Sequence, residues 1–294
     1  MDLPSALQKL SIYRSRNTRA SQETFDKGLL VLKGNGLKKL GDEGWAFLEQ
    51  LALAAIDVGR LDIADRCLQL LTEKFPGSPR VDCLNGIRKE VTESPEAALA
   101  YYNQLLEADP VNVAFWKRKI SVLRRIGRID EAVDELIELL DTFYTDVEGW
   151  LELADIYSSC HQYTSSLQSL SHVLLLAPQN PFYVLRFAET AYTAGDVPLA
   201  IKSFLNVIDM ADSDEDAPIE QVPSGFQVRA WLGIKLCSRR LLQERRLPSP
   251  SQTPVPEHLQ LIDELATERL KTVYAGRDKS DKEAHEILEW LSRG

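Results

Sequence analysis

The chain has 294 residues, with 34 Lys and Arg against 44 Asp and Glu and a formal net charge of −10. Such a balance argues against a general nucleic-acid binder, whose phosphate affinity rests on excess Lys and Arg. At 44% hydrophobic and 27% charged residues the composition is that of an ordinary folded protein. The longest apolar runs, Leu51–Ile56 and Val173–Ala177, are far shorter than the roughly 20 residues of a membrane helix, so no span is expected. Met1-Asp2-Leu3-Pro4-Ser5 has no basic segment leading into an apolar one, so no secretory leader is expected either. Cys67, Cys83, Cys160 and Cys237 include no CxxC pair and suit a reducing compartment, each read as a buried small hydrophobe.

In chain order, residues 3–14 and 21–33 carry weak helical patterns, broken by Gly34-Asn35-Gly36. From Trp45 onward the chain repeats. Blocks of 34 residues start at Trp45, Pro79, Val113, Val147 and Pro181 and abut without gaps. Their twentieth positions are Ala64, Ala98, Ala132, Ser166 and Ala200, and their eighth are Ala52, Gly86, Ile120, Ala154 and Ala188. Gly59, Gly127 and Gly195 stand at the fifteenth position of alternate blocks, and Pro76, Pro110 and Pro178 at the thirty-second.

This is the tetratricopeptide pattern, which predicts an all-α, right-handed superhelical solenoid of paired helices with atypical helical caps. The small residues mark close helix crossings, where a larger side chain would overpack. The glycines end the first helix of a pair in a left-handed cap, and the prolines stop the second. Block four is the most faithful, with Trp150, Leu153, Ala154, Tyr157, Leu170 and Pro178. If its ring is buried, Trp150→Ala costs about 3–5 kcal/mol.

After block five come an acidic insertion, Asp212 to Pro223, a further first helix with Trp231-Leu232-Gly233, and a Pro/Ser stretch from Pro248 to Pro256. Two closing helices are predicted, Glu257–Tyr274 with Leu261, Leu265 and Leu270 inward, and Asp281–Arg293 with a capping box of Ser280 and Glu283. The chain thus divides into an N-terminal helical cap over 1–44, five repeats over 45–214, and a degenerate sixth repeat with its loop and capping helices over 215–294.

Chemistry-bearing motifs are scarce. There is no P-loop, HExxH or GxSxG, and the neighbours Cys160 and His161 fall short of the usual four-ligand metal site. Asp212, Asp214 and Asp216 imitate the start of a calcium loop, but Ala217 replaces its glycine and Pro223 its terminal Glu. Ser213, ahead of acidic residues, is a candidate phosphorylation site. The expectation is a non-enzymatic protein with no cofactor, metal, nucleic acid or small-molecule substrate.

A basic cluster stands out: Lys117, Arg118, Lys119, Arg124, Arg125 and Arg128. Lys117 and Arg124, seven apart, are expected to share the groove face. Two readings stay open, a solvated flank pairing with acids of neighbouring repeats, or a groove for an acidic partner segment held by charge-assisted bonds. The ninth positions, Leu53, Ile87, Ser121, Asp155 and Glu189, lack the Asn of the carboxylate clamp that some tetratricopeptide proteins use on chaperone tails. That weakens the alternative of a soluble adaptor linking chaperones or degradation factors to clients.

Beyond the repeat, several strings resemble the family of subunit 2 of the endoplasmic reticulum membrane protein complex. They are Lys39-Leu40-Gly41-Asp42-Glu43-Gly44-Trp45, Ala54-Ala55-Ile56-Asp57-Val58-Gly59-Arg60, Phe75-Pro76-Gly77-Ser78-Pro79-Arg80-Val81, Lys117-Arg118-Lys119-Ile120 and the Tyr183–Gly195 segment. The likeness runs from about Leu29 to Leu242, and the acidic insertion and Pro/Ser stretch depart from it. It implies a peripheral scaffold on the cytoplasmic face of the endoplasmic reticulum, touching the membrane only indirectly. The implied partners are the membrane-spanning and cytosolic subunits of a complex that inserts tail-anchored and multipass proteins.

Overall fold

The computed structural model describes residues 3–33, 40–41, 43–211, 222–244, 247–275 and 282–292. Fifteen helices and no strand are found among the described residues. The Gly34–Gly36 break, residues 212–221 of the acidic insertion with Ser213, and the Ser280 cap lie outside them. Two compact units, Met1–Glu135 and Leu136–Gly294, divide the chain.

The first unit opens with α1 (Leu3–Ser15) and α2 (Ser21–Lys33). Helix pairs follow: α3 (Glu43–Asp57) with α4 (Leu61–Lys74), then α5 (Pro79–Thr92) with α6 (Pro95–Ala108). Next come α7 (Val113–Arg125) and α8 (Ile129–Thr142), the latter crossing the unit boundary. Two helices of this unit start where a side chain replaces the missing intrahelical acceptor: Ser94 accepts from Ala97 N, and Asn112 from Ala114 N and Phe115 N. Pro79 and Pro95 occupy the first helical position, where no amide is needed. The core of this unit gathers Leu10, Phe25, Phe47, Leu48, Leu51, Cys67, Leu68 and Leu84.

The second unit continues with α9 (Val147–Ser159) and α10 (Tyr163–Leu176), then α11 (Pro181–Thr193) and α12 (Val197–Ala211). It ends with α13 (Phe226–Gln243), α14 (Leu259–Ala275) and α15 (Lys282–Ser292). Lys235, buried on α13, donates to Asp263 on α14 at 2.6 Å, and Ser238 donates to the same carboxylate at 2.6 Å.

The small positions are where the helices meet. Ala64, Ala98, Ala132 and Ala200 are fully buried, and so is Ser166, whose hydroxyl donates to the Ala154 carbonyl at 2.9 Å. A Cβ on Gly86 would lie 2.5 Å from the Tyr102 hydroxyl, so α5 and α6 touch with no room between them. Gly59, Gly127 and Gly195 have φ of 78°, 79° and 89°, and His161 takes the same turn at 59°. At each, the next amide returns to the carbonyl five residues back, as in Arg60 N to Ala55 O at 2.8 Å and Gln162 N to Tyr157 O at 2.8 Å.

Three expectations change. Leu261 and Leu265 are exposed, and α14 instead buries Ala266, Leu270 and Tyr274, a continuous i, i+4 row. Cys160 is exposed and Cys83 half-buried, whereas Cys67 and Cys237 are buried. Trp150 and Tyr157 are half-buried. The Trp150 indole donates to the Tyr144 carbonyl at 2.9 Å and stacks on His172 at 4.2 Å.

Gly86→Ala should lower stability by about 1–3 kcal/mol in urea denaturation, because the buried Tyr102 ring has nowhere to move. Trp150→Ala should cost less than loss of a buried ring, roughly 1.5–2.5 kcal/mol by the same measurement.

Candidate partner-binding cleft

Within the first unit, the leading helices of successive pairs combine with the α1–α2 turn to enclose a cleft of ≈ 640 Å³. Its apolar wall comes from Leu53, Ala54 and Ile56 on α3 and from Ile87 and Val91 on α5. Five arginines line it, Arg14, Arg19, Arg80, Arg118 and Arg125, against three carboxylates, Glu49, Asp57 and Glu90. In a chain of net charge −10, this is a local surplus of positive charge beside an apolar wall.

The most buried charged group in the lining is Glu90, 8% exposed near the end of α5. Its carboxylate accepts from Tyr102 Oη at 2.7 Å and from Arg118 Nε and Nη2 at 2.9 and 2.6 Å. Arg125 Nη2 donates to the Glu90 backbone carbonyl at 3.2 Å. One acid therefore ties α5, α6 and α7 together. Burial acts to lower the Arg118 pKa, but the Glu90 carboxylate outweighs it and the net shift is upward, so the guanidinium stays charged. Burial and the Glu90 contact push the Tyr102 phenol well above its ordinary value.

At the rim, Arg80 Nε donates to Glu49 at 2.9 Å, and Arg19 grips Asp57 through Nε and Nη2 at 3.1 and 2.8 Å. The Arg19 hydrogen bond, helped by Ser21, holds the Asp57 pKa below 3.8. Arg14 reaches Gln50 Oε1 at 3.1 Å. Since Arg19 and Arg80 have side chains 80% and 76% exposed, both can turn to a ligand.

Two of the six residues in the basic cluster, Arg118 and Arg125, line the cleft. They sit one position on from the Lys117–Arg124 pair that spacing suggested. The inward packing of Phe115, Trp116, Ile120, Val122 and Leu123 fixes the rotation of α7, and a one-residue step turns a side chain by about 100°. Lys119 donates to Glu135 at 2.6 Å, beside the Trp116 indole on the same carboxylate at 2.8 Å. Arg128 pairs with Glu131 within an exposed turn. Lys117 and Arg124 are half-buried on α7 outside the cleft lining.

The sequence marks neither Arg14 nor Arg19, and Arg80 only as part of the 75–81 string. Arg80 had a signal, since it sits one residue into a block, but Arg14 and Arg19 precede the repeats. The ninth-position acids have internal partners in the second unit: Arg186 donates to Asp155 at 3.0 Å and Arg229 to Glu189 at 2.7 Å. Among the described residues, no group of three or more His, Cys, Asp and Glu is arranged to hold a metal ion. Burial pushes the Cys67 and Cys237 thiols up to about 11 and about 12, which leaves them protonated. Among the described residues, no helix is long and apolar enough to cross a membrane.

Known proteins resemble this chain closely. The EMC2 TPR-like repeat domain family matches residues 65–206. ER membrane protein complex subunit 2-B of Xenopus laevis is 34% identical over 293 residues, covering 96% of this chain and 93% of the relative. Subunit 2-A of the same species is 41% identical over 187 residues, 64% of this chain and 63% of that one. TPR repeat protein oca3 of Schizosaccharomyces pombe is 31% identical, covering 71% and 72%. The C-terminal part of a TPR repeat-containing protein from Cytophaga hutchinsonii superposes with a TM-score of 0.58 over 92% of this chain and 98% of that one. At 14% identity, that likeness is one of fold alone.

Glu90→Gln should cost about 2–3 kcal/mol in urea denaturation, since it leaves the half-buried Arg118 without its counter-charge. Because the folded-state pKa of Asp57 is depressed, its contribution is present above pH 3.8 and lost as the pH falls through the lower folded value. Asp57→Asn should therefore show a shallower fall in Tm than the unaltered chain below about pH 4.

Proposed function

The chain belongs to the subunit 2 family of the ER membrane protein complex, and from that premise we propose that it is a non-catalytic scaffold of that complex. It sits at the cytoplasmic face of the endoplasmic reticulum, reaches the membrane only through its partners, and supports insertion of tail-anchored and multipass membrane proteins. Its task is to hold cytosolic segments of the other subunits, both membrane-spanning and soluble.

The observation that carries this reading is the arginine-lined cleft. Its wall of Leu53, Ile56, Ile87 and Val91 suits the apolar side of a partner segment, and the exposed Arg19 and Arg80 suit its acidic side. Guanidinium groups favour carboxylates through paired, charge-assisted bonds. Several such modest contacts, made by segments tethered in one particle, reinforce one another through raised effective concentration.

The test is purification of the tagged chain from digitonin-solubilised membranes, beside an Arg19→Gln, Arg80→Gln variant that removes the two exposed rim charges and leaves the Glu90 contacts intact. The unaltered chain should come down in one large particle with several transmembrane proteins at near-equal stoichiometry. The variant should lose most of them while its melting temperature holds to about 2 °C. Recovery of the unaltered chain alone or with chaperones in the soluble fraction would replace the scaffold by an adaptor.

A further inference from the structure

The connection from α13 to α14 runs Leu247-Pro248-Ser249-Pro250-Ser251-Gln252-Thr253-Pro254-Val255-Pro256. Four prolines deprive it of amide donors, so it can join neither a helix nor a sheet ladder. It is nevertheless tied down: Leu247 packs against the core of the second unit, and the polar tie is Asp196. Asp196 precedes α12 and is 3% exposed. Its carboxylate accepts from Ser249 Oγ at 2.9 Å, from Ser251 N at 2.9 Å and from Leu199 N at 3.3 Å. Ser249 Oγ in turn accepts from Thr253 N at 3.1 Å. A turn closed by Gln252 N on the Ser249 carbonyl at 3.0 Å completes the strap, with Gln252 at φ 56°.

Two hydroxyls in this strap stand directly before proline, Ser249 and Thr253. A residue before proline is pushed towards extended backbone, the form in which a kinase groove takes a linear substrate. Their surroundings differ. Among the described residues the Thr253 hydroxyl meets that of Ser251, at 2.7 Å, in an exposed contact. The Ser249 hydroxyl points at the buried carboxylate and gives it a proton to share.

We infer that Ser249 is a phosphorylation site for a proline-directed Ser/Thr kinase, and that its modification frees the strap from Asp196. Ser249 Oγ forms a bond to the γ-phosphorus of ATP as the bond to the β,γ-bridging oxygen breaks. ADP leaves, and the hydroxyl proton passes to the base of the kinase. The product carries about −1.5 to −2 charges where a donor had faced a carboxylate. Hydrogen bonds from Ser251, Ser249 and Leu199 outweigh the effect of burial and hold the Asp196 pKa below its ordinary value, so the carboxylate is ionised and repels the phosphate. Since Ser249 is engaged in the closed strap, the kinase takes the open form and the phosphate prevents reclosure. A phosphate on Thr253 meets no buried acid and leaves the strap closed. This inference is independent of the scaffold reading.

The test uses the full chain, a purified proline-directed Ser/Thr kinase and ATP, with the site mapped by mass spectrometry. Hydrogen exchange is then followed at the Ser251 and Thr253 amides. Phosphate is expected on Ser249, absent in Ser249→Ala, with exchange at both amides faster by about tenfold or more. Ser249→Asp should open the strap in the same way, while the neutral isostere Ser249→Asn should accelerate exchange far less. No phosphate on Ser249, or unchanged exchange after its modification, would overturn the assignment. So would equal opening by the Asp and Asn variants, since loss of the hydroxyl alone would then account for it.

Discussion

Everything in this protein depends on how closely the two helices of a pair approach. That approach is set by fully buried small residues, Ala64, Ala98, Ala132, Ser166 and Ala200, and by Gly86 against the Tyr102 ring. With backbones this near, apolar side chains flanking the crossing reach across it and pack at interior density. The same closeness demands a tight reversal, hence the left-handed Gly59, Gly127 and Gly195, and His161 bent into the same shape. Even the one polar member of the small set obeys the constraint, because Ser166 donates to the Ala154 carbonyl and so leaves no unsatisfied hydroxyl.

Between pairs a second rule operates, and it is electrostatic. An arginine on one leading helix reaches an acid on the preceding one: Arg80 to Glu49 and Arg118 to Glu90 in the first unit, Arg186 to Asp155 and Arg229 to Glu189 in the second. Most of these are exposed and contribute little individually. Arg118–Glu90 differs because the acid is buried and also holds Tyr102. That staple brings Arg118 and Arg125 beside Ile87 and Val91, so the link that joins neighbouring pairs also furnishes the wall of the cleft. On the proposed function, structure and recognition would share side chains here. An acidic segment entering the cleft would compete with internal carboxylates, which favours extended, multiply tethered partners over a single short peptide.

The C-terminal region follows a different logic. It lacks the repeat spacing and is held by specific polar locks, Lys235 with Ser238 on Asp263 and the Pro/Ser strap on Asp196. Polar locks of this kind depend on charge state in a way that an alanine crossing does not. The helical pairs are thus the invariant frame, and the strap is the part that chemistry can open.

The sequence by itself determined the helix pairs and their ends, because the 34-residue period, the glycines and the prolines act through local backbone geometry. It also determined the family, through strings that the period does not require. Only the tertiary structure decided which side chains face the cleft. Lys117 and Arg118 are neighbours of the same chemical type, and periodicity alone does not say which of them turns towards Glu90. That choice is made by the rotation of α7, fixed by Phe115, Trp116 and Ile120 against the neighbouring helices. The same reason hid Arg14 and Arg19, brought in by the α1–α2 turn, and the contact between Ser249 and Asp196, 53 residues apart. A contact between distant segments is fixed by how whole helices pack, and no local pattern in either segment records it.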